Sequence, residues 1–97
     1  MHCHYSPRAL RDIEAIGEYI AQDNPGRALT YLNELTAFCR QVARTPTIRR
    51  TVAHIEGVPL RKAFFGNYQI YYALRPDDTG IEVVHIRHGA RREPAFS

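Results

Sequence analysis

Four residues in the second half of the chain have side chains that could cleave RNA. His85 and His88 could act as base and acid for attack by a ribose 2′-hydroxyl, while Arg61 and Arg87 could hold the phosphate. Residues three apart on a strand point to opposite faces, however, so we expect His85 to lie with Arg87 and His88 to lie with Ile86. Histidines at the margin of a sheet are therefore the favoured interpretation, and a catalytic pair is the less favoured one.

The arginines could instead form a recognition surface. Twelve of the 13 basic residues are arginine, whose planar guanidinium makes forked contacts with carboxylate or phosphate. Residues 40–62 carry six cations against Glu56 alone, while residues 10–36 carry two cations against five carboxylates. A basic middle segment could meet an acidic partner or nucleic acid, or could only be a solvated face. The charge alone does not distinguish these alternatives.

The histidines and cysteines near the start of the chain do not form a recognisable metal site. His2 and His4 would share one face of a strand, but the sequence supplies no third and fourth ligand. Cys3 and Cys39 lack metal-ligand spacing and are too few for a disulfide scaffold, so we expect buried, reduced thiols. No glycine-rich phosphate loop or serine elbow is present, and we expect no cofactor and no metal.

Composition predicts a small globular protein. The 97 residues suit one domain spanning residues 1–97, and 44% hydrophobic against 24% charged residues is ordinary for a soluble fold. No apolar run approaches the ~18 residues needed to span a bilayer, and the first ten residues lack the apolar stretch of a secretory signal. We therefore expect a cytoplasmic protein without membrane contact.

Two helices should follow a short first strand over residues 2–5. Ser6-Pro7 and Asn24-Pro25 are both helix-start signals, so the first helix should end near Asp23 and the second should begin at once. The second helix should end at Thr45-Pro46. We expect the carboxylates of the first helix to face solvent, and they are Asp12, Glu14 and Glu18.

Strands should make up the rest of the chain. Residues 58–66, 68–76 and 81–88 are rich in β-branched and aromatic residues, and Gly66-Asn67 suits a two-residue hairpin turn. Residues 45–57 fit no element clearly. The predicted order is β-α-α-β-β-β, an α+β fold with a helical hairpin on one face of a mainly antiparallel sheet.

Four segments, taken in order, resemble the ParE branch of the ParE/RelE toxins of bacterial toxin–antitoxin pairs. They are "YSPRALRDIEAIGEYIAQDNPGRA", "TAFCRQVARTP", "GVPLRKAFFGNYQIYY" and "HIRHGARREPAF". The resemblance covers nearly the whole chain, and it implies the helical hairpin on a sheet described above. It identifies the chain as a ParE-like toxin.

The resemblance also implies partners. They would be a ParD-like antitoxin, through which alone the toxin would reach operator DNA, and DNA gyrase as the target. The antitoxin tail would dock on the wide apolar arc of the second helix, at Tyr31, Leu35 and Phe38. Gyrase would be contacted by arginines and one histidine, namely Arg61, Arg87, His88, Arg91 and Arg92.

Two alternatives remain beside gyrase inhibition. The first is a RelE-like, ribosome-dependent endoribonuclease that uses His85, His88, Arg61 and Arg87. Against it, Gln69 stands where such nucleases commonly have an arginine, and the tail has Phe96 where they have a tyrosine. The second is a degenerate toxin that binds its antitoxin and helps to repress their operon. We expect an inhibitory binding protein rather than an enzyme.

Overall fold

The computed structural model describes residues 2–77 and 79–89, so Arg91, Arg92 and Phe96 lie outside the described residues. The elements in chain order are β1 (His2–Tyr5), α1 (Pro7–Ala21), α2 (Pro25–Arg44), β2 (Thr51–Ile55), β3 (Val58–Phe65), β4 (Tyr68–Leu74) and β5 (Gly80–His88). No helix within the described residues is long and apolar enough to cross a membrane.

Both helices begin where the sequence predicts. The Ser6 hydroxyl accepts a hydrogen bond from the Ala9 backbone N–H at 3.0 Å, and the Asn24 side-chain oxygen accepts one from the Arg27 N–H at 3.0 Å. Each cap satisfies an N–H group that the helix itself leaves without a partner, and a proline follows each cap. The tight helical hairpin is therefore confirmed, with α1 ending at Ala21 rather than Asp23.

The sheet has one strand more than predicted. Its order is β1-β5-β4-β3-β2, with β1 parallel to β5 and every other pair antiparallel. The predicted β-α-α-β-β-β order is corrected to β-α-α-β-β-β-β because residues 51–55 pair with β3 as β2. Glu56 and Gly57 form the two-residue turn between them, at φ 51° and 81°. Positive φ at both positions matches the twist of a tight hairpin.

The helices pack on one face of the sheet and bury the core there. The core side chains from the helices are Ala9, Ile16, Leu35, Cys39, Val42 and Ala43, and those from the strands are Ala63, Tyr68, Ile70, Tyr72, Ile81, Val83 and Ile86. We call the opposite face of the sheet the open face.

An extra residue in β5 changes which side chains meet the helices. Tyr71 pairs with His85 and Tyr72 pairs with Val83, so Val84 is the extra residue of a β-bulge. Val83 and Ile86 are three apart, yet both lie in the core because the bulge shifts the alternation by one. His85 is thereby turned away from the core and toward the open face.

The strand β1 borders only the first half of β5. Its register runs from His2 opposite Gly80 to Tyr5 opposite Val83. Beyond that point the start of α1 lies along β5 in place of β1. The Ser6 hydroxyl donates a hydrogen bond to the Val84 carbonyl at 2.8 Å. The side chain that caps α1 therefore bonds to backbone that a longer β1 would have paired.

Candidate functional site

His85, a candidate acid–base residue, points away from the core but is buried, and both nitrogens of its ring contact side chains of α1. It is 3% exposed, with Nδ1 2.7 Å from Oδ2 of Asp12 and Nε2 3.3 Å from the Arg8 guanidinium. A guanidinium can only donate, so Nε2 is the acceptor and Nδ1 carries the proton that is donated to Asp12. The ring also stacks on Tyr71, with centroids 6.3 Å apart. This geometry suits a residue that fixes the fold.

Asp12 does not face solvent as predicted. Its Oδ2 accepts from His85 and also from the backbone N–H of Ile86 at 2.9 Å, and its side chain is 20% exposed. The sequence did contain a signal for this position. Asp12 lies three residues after Ala9 and four before Ile16, both buried, so it falls on the inward stripe of α1.

His88 lies on the other side of the sheet from His85. Its ring makes an edge contact with Tyr68, a core residue, with centroids 5.3 Å apart at 90°. Tyr68 pairs with His88 and Tyr71 pairs with His85, so the two histidines belong to opposite faces of β4 and β5. The expected separation of His85 from His88 is confirmed, and the two do not flank one site.

Arg61 is engaged within the protein. Its Nη1 donates to the carbonyl oxygen of Thr47 at 3.4 Å and to that of Arg49. Its cross-strand partner Tyr72 donates its hydroxyl to the Pro46 carbonyl at 2.9 Å, and burial raises the pKa of that hydroxyl. These two side chains fix the connection between α2 and β2. Arg61 is therefore placed as a structural cation, and the geometry does not bring it to Arg87 or His88.

We expect Arg61→Met to lower the free energy of unfolding by about 1 kcal/mol, because the methionine keeps part of the apolar stem and removes the donors to the two carbonyls. Urea unfolding at neutral pH measures this. Arg11→Met, at an exposed position on α1, is the matched control and should change stability by less than about 0.5 kcal/mol. Equal stability of the two variants would contradict the structural role.

A cation and an exposed aromatic ring lie together on the open face. The Lys62 ammonium is 5.3 Å from the Phe64 ring centroid and 5.6 Å from that of Tyr71, and Phe64 is 61% exposed. Gln69 pairs with Phe64 on one side and with Arg87 on the other. Large exposed rings beside cations are suited to contact a partner. The sequence analysis did not single out Lys62 or Phe64.

Three aromatic rings form a continuous row between α2 and β3. Phe65 is the middle ring, with its centroid 5.4 Å from that of Tyr31 and 5.2 Å from that of Phe38. The Arg27 guanidinium lies over Tyr31 at 5.2 Å, and that of Arg49 lies over Phe38 at 5.9 Å. We call Tyr31, Phe65 and Phe38 the aromatic row. All three rings are partly exposed, so the row presents apolar surface with a cation at each end.

Leu35, predicted to contact the antitoxin, has no exposed surface. It is 0% exposed and belongs to the core between α2 and the sheet. The apolar arc of α2 is wide because the helix contacts α1 and the sheet at once, and Leu35 lies on the part that these contacts cover. In this conformation Leu35 supports the surface of α2 and is not part of it.

The described residues hold no group of three or more His, Cys, Asp or Glu side chains that could bind a metal ion. Their chemistry consists of aromatic rings beside cations, on both faces of the sheet. The fold and these surfaces together define a small α+β domain with surfaces suited to contact a partner.

The chain belongs to the ParE toxin family, whose description is "ParE toxin of type II toxin-antitoxin system, parDE" and whose family model matches residues 4–93. Among solved structures, the chromosomal ParDE toxin–antitoxin system from P. aeruginosa is similar, with a TM-score of 0.65 over 91% of this chain and 95% of that chain. The identity is 16%, so this likeness shows the fold. No curated protein is similar enough to count as a match.

Proposed function

We propose that this type II toxin inhibits DNA gyrase by binding and that a ParD-like antitoxin neutralises it. Family membership supports a toxin with a ParD-like antitoxin, and the resemblance of the sequence to ParE toxins implies gyrase as the target. The observation that favours binding over catalysis is the position of His85, whose two ring nitrogens contact Asp12 and Arg8 inside the protein. A general acid or base needs a nitrogen within reach of the substrate. His88 lies on the other face of β4 and β5, so it does not share a site with His85.

The proposed gyrase-binding surface lies at the end of β5. Arg87 and His88 end that strand with their side chains on opposite faces, and Arg91 and Arg92 follow in the sequence within four residues, outside the described residues. Three arginines and one histidine, close together along the chain, suit an acidic protein surface or the backbone of DNA. Arg61 is not included because its guanidinium already bonds to the carbonyls of Thr47 and Arg49.

A supercoiling reaction with purified gyrase, ATP and relaxed plasmid tests this function. We expect the toxin to inhibit supercoiling, and the Arg91→Ala/Arg92→Ala double variant to need at least about 10-fold more protein for the same inhibition. Such a loss corresponds to about 1.4 kcal/mol, the size expected for two charged contacts at a rim. Arg11→Ala, which removes one exposed cation from α1, is the control and should inhibit as the wild type does.

The rival function is a RelE-like endoribonuclease that acts on messenger RNA at the ribosome. Primer extension on mRNA in a reconstituted translation reaction tests it with the same protein preparation. Cleavage that His88→Ala abolishes, with supercoiling unaffected, would establish the rival and reject gyrase inhibition. Inactivity in both reactions, together with antitoxin binding, would instead establish a degenerate toxin.

We propose the aromatic row as the docking site of the antitoxin tail. Its apolar rings match a tail with apolar side chains, and Arg27 and Arg49 at its ends match acidic ones. Arg27 is paired with Glu34 through contacts of 2.9 and 3.2 Å, so an acidic side chain of the tail would compete with Glu34 at that end. Addition of the antitoxin to the supercoiling reaction should restore gyrase activity.

A further inference from the structure

One end of the open face holds an apolar groove with two carboxylates. Its apolar lining residues are Ile55, Val58, Leu60, Ala73 and Val84. Leu60 and Ala73 are buried and form the floor. Glu56 and Glu82 add the two carboxylates to the lining. Ala73 alternates with the core residue Tyr72 and pairs with Glu82, which places the groove on the face away from the helices.

The other end of the open face carries an exposed aromatic ring beside two cations. Phe64 is 61% exposed, and the Lys62 ammonium lies 5.3 Å from its ring centroid. Gln69 pairs with Phe64 in β3 and with Arg87 in β5, so Arg87 lies on the same face and at the same level of the sheet. One end of the open face is therefore apolar and acidic, and the other is apolar and basic.

The ring and the groove are separated by the same distance as the acidic and basic side chains of β5. Four residues of β3 lead from Leu60 in the groove to Phe64, a distance of ~13 Å along the strand. Glu82 and Arg87 pair with two residues of β4 that are also four apart, because the bulge absorbs one residue of β5. A partner that matches the ring to the groove therefore also matches the charges.

We propose that the open face binds a second copy of this chain, in a symmetric dimer that places Phe64 of each protomer in the groove of its partner. The two sheets would face each other about a two-fold axis that runs across the strands, midway between ring and groove. Rotation about this axis exchanges the two ends of the face. Arg87 would then lie opposite Glu82 of the partner subunit, because both belong to β5.

Shape and charge both fit this occupant. The groove has a volume of about 310 Å³, and an apolar cavity of ~150 Å³ is enough to hold a benzene ring. Symmetry forms each contact twice, so the dimer buries two exposed rings and brings two arginines to two carboxylates. The face is small for an interface and each copy has a net charge of +3, so we expect a dissociation constant on the order of 10 μM.

The dimer would cover Arg87, which belongs to the proposed gyrase-binding surface. The monomer would then be the form that contacts gyrase, and association would keep part of the toxin in a covered form. This consequence rests on the proposed function. The dimer itself does not, because its contacts are independent of the identity of the target.

Sedimentation velocity of the full-length toxin, from about 1 to about 200 μM, tests the dimer. We expect the average mass to rise toward that of two chains, and an increase in salt from about 50 to about 500 mM to weaken association several-fold. Phe64→Ala should weaken association at least about 10-fold. Leu29→Ala removes a side chain that is 70% exposed on α2 and is the matched control, which should associate as the wild type does.

Arg87→Glu and Glu82→Arg test the relative orientation of the two copies. Each variant alone would place like charges opposite one another twice in each dimer, so we expect self-association to weaken at least about 10-fold. An equimolar mixture of the two variants restores an attractive pair on both sides, and it should associate about as tightly as the wild type. A folding defect in either variant could not produce this recovery.

Three results would overturn the proposal. They are a toxin that stays monomeric up to about 200 μM, equal weakening by Phe64→Ala and Leu29→Ala, and a mixture of the charge variants that associates no better than either alone. A monomeric toxin whose affinity for the antitoxin falls with Phe64→Ala would assign the open face to the antitoxin and would likewise reject the dimer.

Discussion

Replacement of Gly80 by alanine is expected to detach β1 from the sheet and to lower the free energy of unfolding by about 3 kcal/mol or more. Gly80 has φ +138°, and a Cβ there would lie 1.9 Å from the carbonyl oxygen of His2. The obstacle is backbone, so no side-chain rotation relieves it. The pairing of His2 with Gly80 would be lost, and with it the start of the parallel β1–β5 contact.

A second glycine separates the effect of the steric clash at Gly80 from the effect of its positive φ. Gly57 also has positive φ, +81°, but no atom lies within 4 Å of the position a Cβ would occupy. Gly57→Ala should therefore cost only the backbone strain, about 1 kcal/mol. Urea unfolding followed by far-UV circular dichroism measures both variants. Equal losses would mean that β1 is not held in close contact at Gly80.

Asp12→Ala should lower the free energy of unfolding by about 2–4 kcal/mol. One carboxylate oxygen accepts from the His85 ring and from the Ile86 backbone N–H, at 2.7 and 2.9 Å. Alanine would leave two donors without their acceptor in a buried region, and such groups are costly. For a protein of this size the loss corresponds to a fall in Tm on the order of 10 °C or more.

Two variants make this prediction specific. Asp12→Asn keeps an amide oxygen where the carboxylate oxygen lies, so both bonds can remain in weaker, uncharged form at a cost of about 1 kcal/mol. Glu14→Ala removes an exposed carboxylate from the same helix and should change stability by less than about 0.5 kcal/mol. If Asp12→Ala were as mild as Glu14→Ala, the contact of α1 with the second half of β5 would not stabilise the fold.

Much of the fold could be predicted because its signals are local. A serine and an asparagine, each before a proline, define both helix starts, and Gly66 before Asn67 defines the turn between β3 and β4. The strand β2 was missed since it is only five residues long and its turn begins with Glu56, a residue type with little preference for φ 51°. Local signals were weak there, and pairing with β3 decided the structure.

The candidate site was less predictable because it depends on distant contacts. The alternation of side chains between the two faces of a strand correctly predicted that His85 and His88 lie on opposite faces. It could not reveal that Asp12 and Arg8, more than 70 positions away in the chain, would contact both nitrogens of His85. For the same reason the free guanidinium expected at Arg61 is instead bonded to the segment that follows α2.

Because β1 pairs with β5, the fold cannot form during synthesis until β5 has been made. His2 through Tyr5 pair with residues 80–83, and the Asp12 carboxylate accepts hydrogen bonds from residues 85 and 86. Contacts this distant in sequence form late, after the intervening chain has left the ribosome. A nascent or truncated chain that stops before β5 would lack the strand that α1 contacts. The toxin can therefore reach its working form only after β5 has been translated.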